Sequence, residues 1–348
     1  MKPLNILIAT GIYPPDLGGP AEYAKNIETE FRKMGNMVFV KAFGFEKKLP
    51  TGLRHIWYLF RLLPIVRKVD LIIALDTFSV ALPTVIVAKI FKKKVIIRTG
   101  GDFLWESYVE RTGEKVLLTR FYETRKSNFN LKEKVVFWLT KFVLHSVSAI
   151  VFSTTWQRDI FVPAYKLDKR KNFIIENFYG QKVSFPKKAE QNNTSKIFVS
   201  ATRPIKFKNN ELLKEAFVEA KRFDKYIILD TEPVPHKEFL EKIANSYAVV
   251  LPSFGEISPN MILDAISAGT PFIVTRECGI YDRIKDIAIF VDPLNKEDIR
   301  DKIIYLANEN IYKAQKRAVE SFSFTHSWGQ ICREFLSVYG VILQNKKK

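Results

Sequence analysis

With 348 residues, 47% of them apolar, the chain is long enough for two domains of ordinary size, each with its own core. Two cysteines exclude a disulfide framework and point to a reducing compartment, and no run of about 20 uncharged apolar residues is present to span a bilayer. The net charge of +18 is spread along the chain and implies an anionic partner: nucleic acid, an acidic substrate or a membrane surface.

The opening M-K-P-L-N-I-L-I-A-T lacks an apolar run with a small-residue cleavage site, so a first strand over 4–9 is expected and not a signal peptide. A Gly/Pro-rich loop over 10–19 leads to a helix predicted over 20–34 and ended by Gly35. Strands are predicted over 37–43, 71–74, 94–98, 149–153 and 173–175, with helices near 53–68 and 79–91. Short, nearly all-apolar strands separated by helices predict a parallel sheet covered on both faces. Residues 181–196 are polar and read as a linker. A second series follows, with strands over 197–200, 226–229, 248–251, 271–275 and 288–291 and helices over 209–222, 236–244 and 296–308. The closing stretch, 321–339, reads as largely helical. The expected fold class is α/β, with two Rossmann-like, doubly wound parallel-sheet domains at 1–180 and 197–322, and a C-terminal helix and basic tail at 323–348. In such folds ligands bind beyond the carboxyl ends of the strands.

Three loops at such ends carry candidate residues. Residues 251–271 read L-P-S-F-G-E-I-S-P-N-M-I-L-D-A-I-S-A-G-T-P. Ser258 is expected to cap a helix, Pro259 to suit its first turn and Gly269 to close it. That leaves Glu256 at the mouth of the helix and Asp264 about two turns in, where both carboxylates could hydrogen-bond one polyol ligand. In 202–213, T-R-P-I-K-F-K-N-N-E-L-L, Arg203 and Lys208 stand five apart across a strand-to-helix loop and can neutralise a diphosphate leaving group. Gly18 and Gly19 directly precede a helix, whose free N–H groups favour anions, although no G-x-G-x-x-G follows this strand. In 98–106, R-T-G-G-D-F-L-W-E, Asp102 either caps the next helix or faces substrate. None of the four histidines sits in a nucleophile or metal constellation, and no H-E-x-x-H or C-x-x-C exists.

The S-x-x-E-x7-D-A-x-x-A-G-T-P context resembles the acidic motif of glycosyltransferase family 4, the retaining sugar-nucleotide transferases of the GT-B fold, with Asp264 where that family usually has a second Glu. The Arg203 and Lys208 spacing is similar too. Thr202 and Asn209 stand where the family usually has Gly, and side chains there would restrict how closely the backbone approaches a ligand. The resemblance implies two domains facing a central cleft, with the C-terminal helix packed back on the N-terminal domain. It assigns donor binding to Gly18, Gly19, Arg203, Lys208, Glu256, Ser258, Pro259, Asn260 and Asp264, with Glu256 on sugar hydroxyls and Asp264 on the ribose. It places Asp102, where many members have a His, near the reacting sugar or the acceptor hydroxyl, and Trp105 and Glu106 on the acceptor side. It further implies a UDP- or GDP-sugar co-substrate with no metal or other cofactor, and a lipid-linked or glycan acceptor in cell-envelope glycoconjugate synthesis. The expected location is cytoplasmic, at the inner face of the cytoplasmic membrane. Another GT-B sugar-nucleotide enzyme, an epimerase or hydrolase, would keep the nucleotide pocket without an acceptor surface. No zinc-ligand pattern, aromatic RNA-binding signature or basic arm favours nucleic acid.

Two segments could meet an anionic membrane. Residues 53–68 contain no acid, and 115–145, Lys115 to His145, carry seven Lys/Arg against two Glu, interleaved with Phe121, Tyr122, Phe129, Phe137, Trp138 and Phe142. Cations beside large apolar residues suit a helix lying in a membrane interface, and 115–145 is the segment expected to do so.

Overall fold

The computed structural model describes residues 2–16, 18–183 and 195–344. Most of the linker expected at 181–196, and the last residues of the basic tail, lie outside the described residues. The chain forms two compact units, one of Met1–Leu104, Ser127–Phe178 and His326–Lys348, the other of Trp105–Lys126 and Tyr179–Thr325. Composition puts 105–126 in the first domain, whereas its contacts group it with the second unit.

The first unit is built on a six-stranded parallel sheet of order β2-β1-β3-β4-β5-β6. Its strands are β1 (Asn5–Thr10), β2 (Met37–Ala42), β3 (Leu71–Ala74), β4 (Lys94–Thr99), β5 (Ala149–Phe152) and β6 (Asn172–Ile174). Ile8 on β1 pairs with Val40 on one side and Ile73 on the other, and β3 is buried along its whole length. Alternating with the strands are α1 (Gly19–Lys33), α2 (Thr51–Val66), α3 (Ala81–Ile90), α4 (Phe103–Thr112), α5 (Leu118–Thr124), α6 (Leu131–Ser146) and α7 (Thr155–Tyr165). Most of α4, and all of α5, belong to the second unit.

That unit holds a five-stranded parallel sheet of order β11-β10-β9-β7-β8, from β7 (Lys196–Val199), β8 (Ile227–Asp230), β9 (Ala248–Leu251), β10 (Phe272–Thr275) and β11 (Ile289–Val291). Its helices are α8 (Asn210–Ala220), α9 (His236–Ala244), α10 (Asn260–Ala268), α11 (Tyr281–Ile284), α12 (Lys296–Ala307) and α13 (Glu309–Ser321). The chain then returns to the first unit, where α14 (Trp328–Gln344) packs on α1 with Phe335 edge-on to Phe31. The closing helix therefore starts later than its sequence pattern suggests, because α13 ends at Ser321. Cys278 and Cys332 are both free and buried.

Residues 115–145 do not form one amphipathic helix. They are split into α5 and α6, which fall in different units. Phe121, Tyr122 and Phe129 are buried, and Phe137 stacks on Tyr165 at 4.8 Å, so most aromatic rings of this segment serve the core.

Candidate functional site

In the second sheet β7 lies between β8 and β9, so successive strands are laid down in opposite directions from it. The gap between the β7 and β9 ends is the topological switch point, where doubly wound sheets bind ligands. The loop after β7 supplies Lys208 and the loop after β9 supplies Glu256. Lys208 Nζ donates to Glu256 Oε1 at 2.6 Å, with the side chains only 17% and 9% exposed. A charge-assisted bond so withdrawn from solvent is far less screened than a surface pair.

The backbone around this pair is fixed by long-range bonds. Glu256 N donates to Glu277 O at 2.8 Å and Glu256 O accepts from Gly279 N at 2.7 Å, which ties the loop after β9 to the loop after β10. Phe254 N donates to Phe207 O at 2.9 Å, joining it to the loop after β7. Asn209 is left-handed, with φ of 61°, a conformation that Gly and then Asn tolerate best. Its side chain is buried, and Nδ2 donates to Pro252 O at 3.1 Å and Pro293 O at 2.7 Å. The Asn side chain thus points into the protein and clamps two loops, so it does not stand between the backbone and a ligand as the sequence suggests.

Helix α10 begins one residue later than expected, with Pro259 at the N-cap and no side-chain cap. Ser258 is therefore not the capping residue. Its Oγ is buried without a hydrogen-bond partner, as are Ser200 Oγ after β7 and Ser253 Oγ after β9. A buried hydroxyl with no partner is costly, and three of them stand around one switch point. Asn260 is exposed at the first position of α10. Asp264, half-buried, lies about one turn in and not two, because the helix starts at Asn260. Gly269, with φ of 66°, closes the helix as expected. Arg203 is exposed, and its guanidinium makes no hydrogen bond or ion pair among the described residues.

Sequence reasoning missed what holds these loops from behind. Trp105 is 2% exposed, donates from Nε1 to Val116 O at 2.9 Å and packs on Phe207 with ring centroids 5.0 Å apart. So deep a ring supports the Lys208 loop and has no surface to offer an acceptor. Glu106 beside it is half-buried. Leu118 N donates to Phe254 O at 3.3 Å, and Glu110 accepts from Lys206 N at 2.9 Å. Thr119 Oγ1 donates to Glu277 Oε2 at 2.7 Å. Burial pushes the Glu277 carboxyl above its ordinary value, outweighing the Thr119 hydrogen bond. The folded state therefore holds this proton to higher pH than the unfolded chain, and stability falls as pH rises from the ordinary Glu value, about 4.3, through the raised one. Glu277→Gln, which keeps the acceptor oxygen, should match wild-type stability in acid and exceed it near neutrality. Denaturation curves of both proteins across pH check this, and an equal stability at every pH would rule it out.

Gly18, Gly19 and Asp102 belong to the first unit. Gly18 takes φ of 136°, open to glycine, and its carbonyl accepts from Ala21 and Glu22 N–H at the start of α1. Gly19 is the first residue of α1. Asp102 is 3% exposed and its Oδ1 accepts from Leu104 N at 3.1 Å, so it caps α4. Arg98, just before the Gly100-Gly101 pair, is a buried cation that the sequence reading passed over. It lies over the Tyr23 ring at 4.1 Å and donates from Nη2 to Ser153 Oγ at 3.1 Å and Asn177 Oδ1 at 2.5 Å. Desolvation lowers its pKa, and burial pushes the Tyr23 phenol up to about 12. No group of His, Cys, Asp or Glu among the described residues could hold a metal ion, and no described helix is long and apolar enough to cross a membrane.

The family model Glycosyl transferases group 1 matches residues 187–309, which contain Arg203, Lys208, Glu256 and Asp264. No curated protein sequence matches the chain. Among solved structures, a glycosyltransferase from Rickettsia africae is similar with a TM-score of 0.63 at 14% identity, over 99% of this chain and 100% of that one. WaaG, a glycosyltransferase involved in lipopolysaccharide biosynthesis, gives 0.65 at 12% identity over 96% and 99%. Anabaena HepE, in complex with UDP and glucose, gives 0.60 at 11% identity over 99% and 100%. Likeness at such identity establishes the fold, which is GT-B, with two parallel-sheet α/β units.

Proposed function

We propose that the chain is a retaining glycosyltransferase of family 4 that moves a sugar from a UDP- or GDP-sugar to a hydroxyl of a glycan or lipid-linked acceptor in envelope glycoconjugate synthesis, at the cytoplasmic side of the membrane. The observation that carries this reading is the withdrawn Lys208–Glu256 pair at the switch point, with partnerless Ser200, Ser253 and Ser258 hydroxyls on the same loops. Lys208 and Arg203 take up the charge of the departing diphosphate, so the reading needs no metal. Glu256 accepts hydrogen bonds from donor sugar hydroxyls, and Asp264 from the ribose. The bond from the anomeric carbon to the phosphate oxygen breaks with its electron pair going to that oxygen. The acceptor hydroxyl oxygen bonds to the same face of that carbon, and its proton passes to the departing phosphate. Gly18 and Gly19 serve the donor phosphate, and Asp102, beyond its capping bond, orients the acceptor hydroxyl. The family model over 187–309 and the UDP and glucose bound to HepE support the donor class, and the involvement of WaaG in lipopolysaccharide biosynthesis supports the envelope setting.

A thermal-shift panel of UDP, GDP and their sugars on wild type and Arg203→Ala tests it. A nucleotide at about 100 times its dissociation constant should stabilise the fold by roughly 2.7 kcal/mol. The expected result is a shift with one nucleotide family that Arg203→Ala loses. No shift with any nucleotide, in a folded protein that also fails to turn over any of these sugars, would overturn the reading.

A further inference from the structure

Helix α2 is apolar on two faces. Its inner face buries Tyr58, Leu62 and Val66. Its outer face carries Leu53, Ile56, Trp57 and Phe60 at helical spacing, with Trp57 50% and Phe60 61% exposed. Phe45, just before the helix, extends the stripe by packing edge-on to Trp57 at 6.3 Å. Helix α3 packs against both α2 and α6, so the three lie side by side on the first unit. On α6, Leu131, Val135 and Trp138 are exposed, Trp138 at 64%. Its ring stacks with Phe142, over which Lys89 of α3 sits at 4.6 Å.

Charge complements this apolar surface. Arg67, Lys68, Lys89, Lys132 and Lys134 are exposed on or beside the three helices. The helices contain a single acid, Glu133, and it is buried in a capping box with Asn130. Glu46, near the start of α2, is fully buried against Arg61. Large exposed aromatic and aliphatic side chains bordered by cations, with no exposed acid on these helices, match the interface of a bilayer that carries anionic headgroups. A second copy docking on the same face by two-fold symmetry would set cations against cations.

We infer that the outer face of α2, flanked by α6, is a docking surface for an anionic lipid bilayer. The apolar side chains of Trp57 and Phe60 enter the headgroup boundary, and the lysines and arginines bind phosphate. This moves the membrane contact from the 115–145 segment as a whole to α2 and the exposed stripe of α6, and it holds whatever the second unit transfers.

Flotation of the full chain with vesicles of phosphatidylcholine alone, or mixed with phosphatidylglycerol, tests it. Wild type should float with the mixed vesicles at low salt, stay behind with phosphatidylcholine alone, and lose binding in molar salt. The Trp57→Ser, Phe60→Ser double variant should partition about 30-fold more weakly, since two half-exposed rings no longer leave water, while its melting temperature is unchanged. Trp138→Ser should weaken binding less. Equal flotation of the double variant and wild type would overturn the inference, as would failure of wild type to bind the mixed vesicles. A dimer that the double variant dissociates, or an oligonucleotide that binds better than the mixed vesicles and is lost in the variant, would assign the face to another occupant and overturn it as well.

Discussion

Glu256→Gln is expected to leave the fold intact and, with the proposed role of Glu256, to cut kcat/KM by about 10²–10³-fold, because a charge-assisted contact that orients the reacting sugar becomes a neutral one. The glutamine keeps an oxygen to accept from Lys208, and the backbone bonds to Glu277 and Gly279 do not involve the side chain. What disappears is the carboxylate that would grip the sugar hydroxyls. Alanine variants separate catalysis from stability. With exposures of 17% and 9%, each side chain depends on the other, and removing either leaves a largely buried charge without its partner. Glu256→Ala and Lys208→Ala should each cost about 2 kcal/mol, and the double variant should cost less than the sum, because no orphaned charge remains. On the kinetic side Lys208→Ala should raise KM for the donor and lower kcat together, since in the proposed reaction it meets the phosphate both before and during departure. Urea denaturation and steady-state kinetics on wild type and the four variants give both answers. Wild-type activity in Glu256→Gln, or a fully additive double variant, would remove this pair from the site.

The strands were legible because they are short, largely apolar runs, with β3, β5, β9 and β10 buried along their whole length, and all eleven read from the sequence lie within one residue of their observed bounds. The acidic and basic candidates of the second unit were legible because their loops follow such strands. Local patterns say nothing, however, about which distant segment fills the space behind a loop. Trp105 and Leu118 reach the Gly255 loop across about a hundred and fifty positions of chain, and only the folded structure shows that they support it. Asn209 looked like an obstructive replacement for glycine because a sequence does not reveal φ, whereas the left-handed backbone turns its amide inward. The Ser258 cap failed for a similar reason: Pro259 itself takes the extended N-cap conformation, with φ of −72° and ψ of 108°. On α2 the periodicity is ambiguous in principle. A helix apolar on both faces has two candidate cores, and nothing local decides that Tyr58 is buried while Trp57 beside it is exposed.

The support behind the loop yields the second large effect. Trp105→Ala removes a fully buried indole and its Nε1–H bond to Val116 O, and should destabilise the fold by about 3–5 kcal/mol. Gly255→Ala attacks the same contact from the other side. A Cβ there would lie 2.9 Å from Leu118 Cβ and 3.2 Å from Trp105 Cη2. Leu118 Cβ cannot swing aside, because it is attached to a backbone whose N–H bonds Phe254 O. The loop must shift outward, at about 1–3 kcal/mol for overpacking, and Glu256 is the next residue in it. Activity should therefore fall further than stability alone explains, with the folded fraction of Gly255→Ala still near complete at assay temperature. Combining it with Trp105→Ala should cost less than the sum of the two, since the vacated indole volume accepts part of the new methyl while the Leu118 contact persists. Circular dichroism melts and initial rates on the two single variants and the double variant measure this. If Gly255→Ala keeps wild-type stability and rate, the segment at 105–126 does not hold the Glu256 loop in place, and the positioning of the carboxylate has to come from the β10 side, through Glu277 and Gly279.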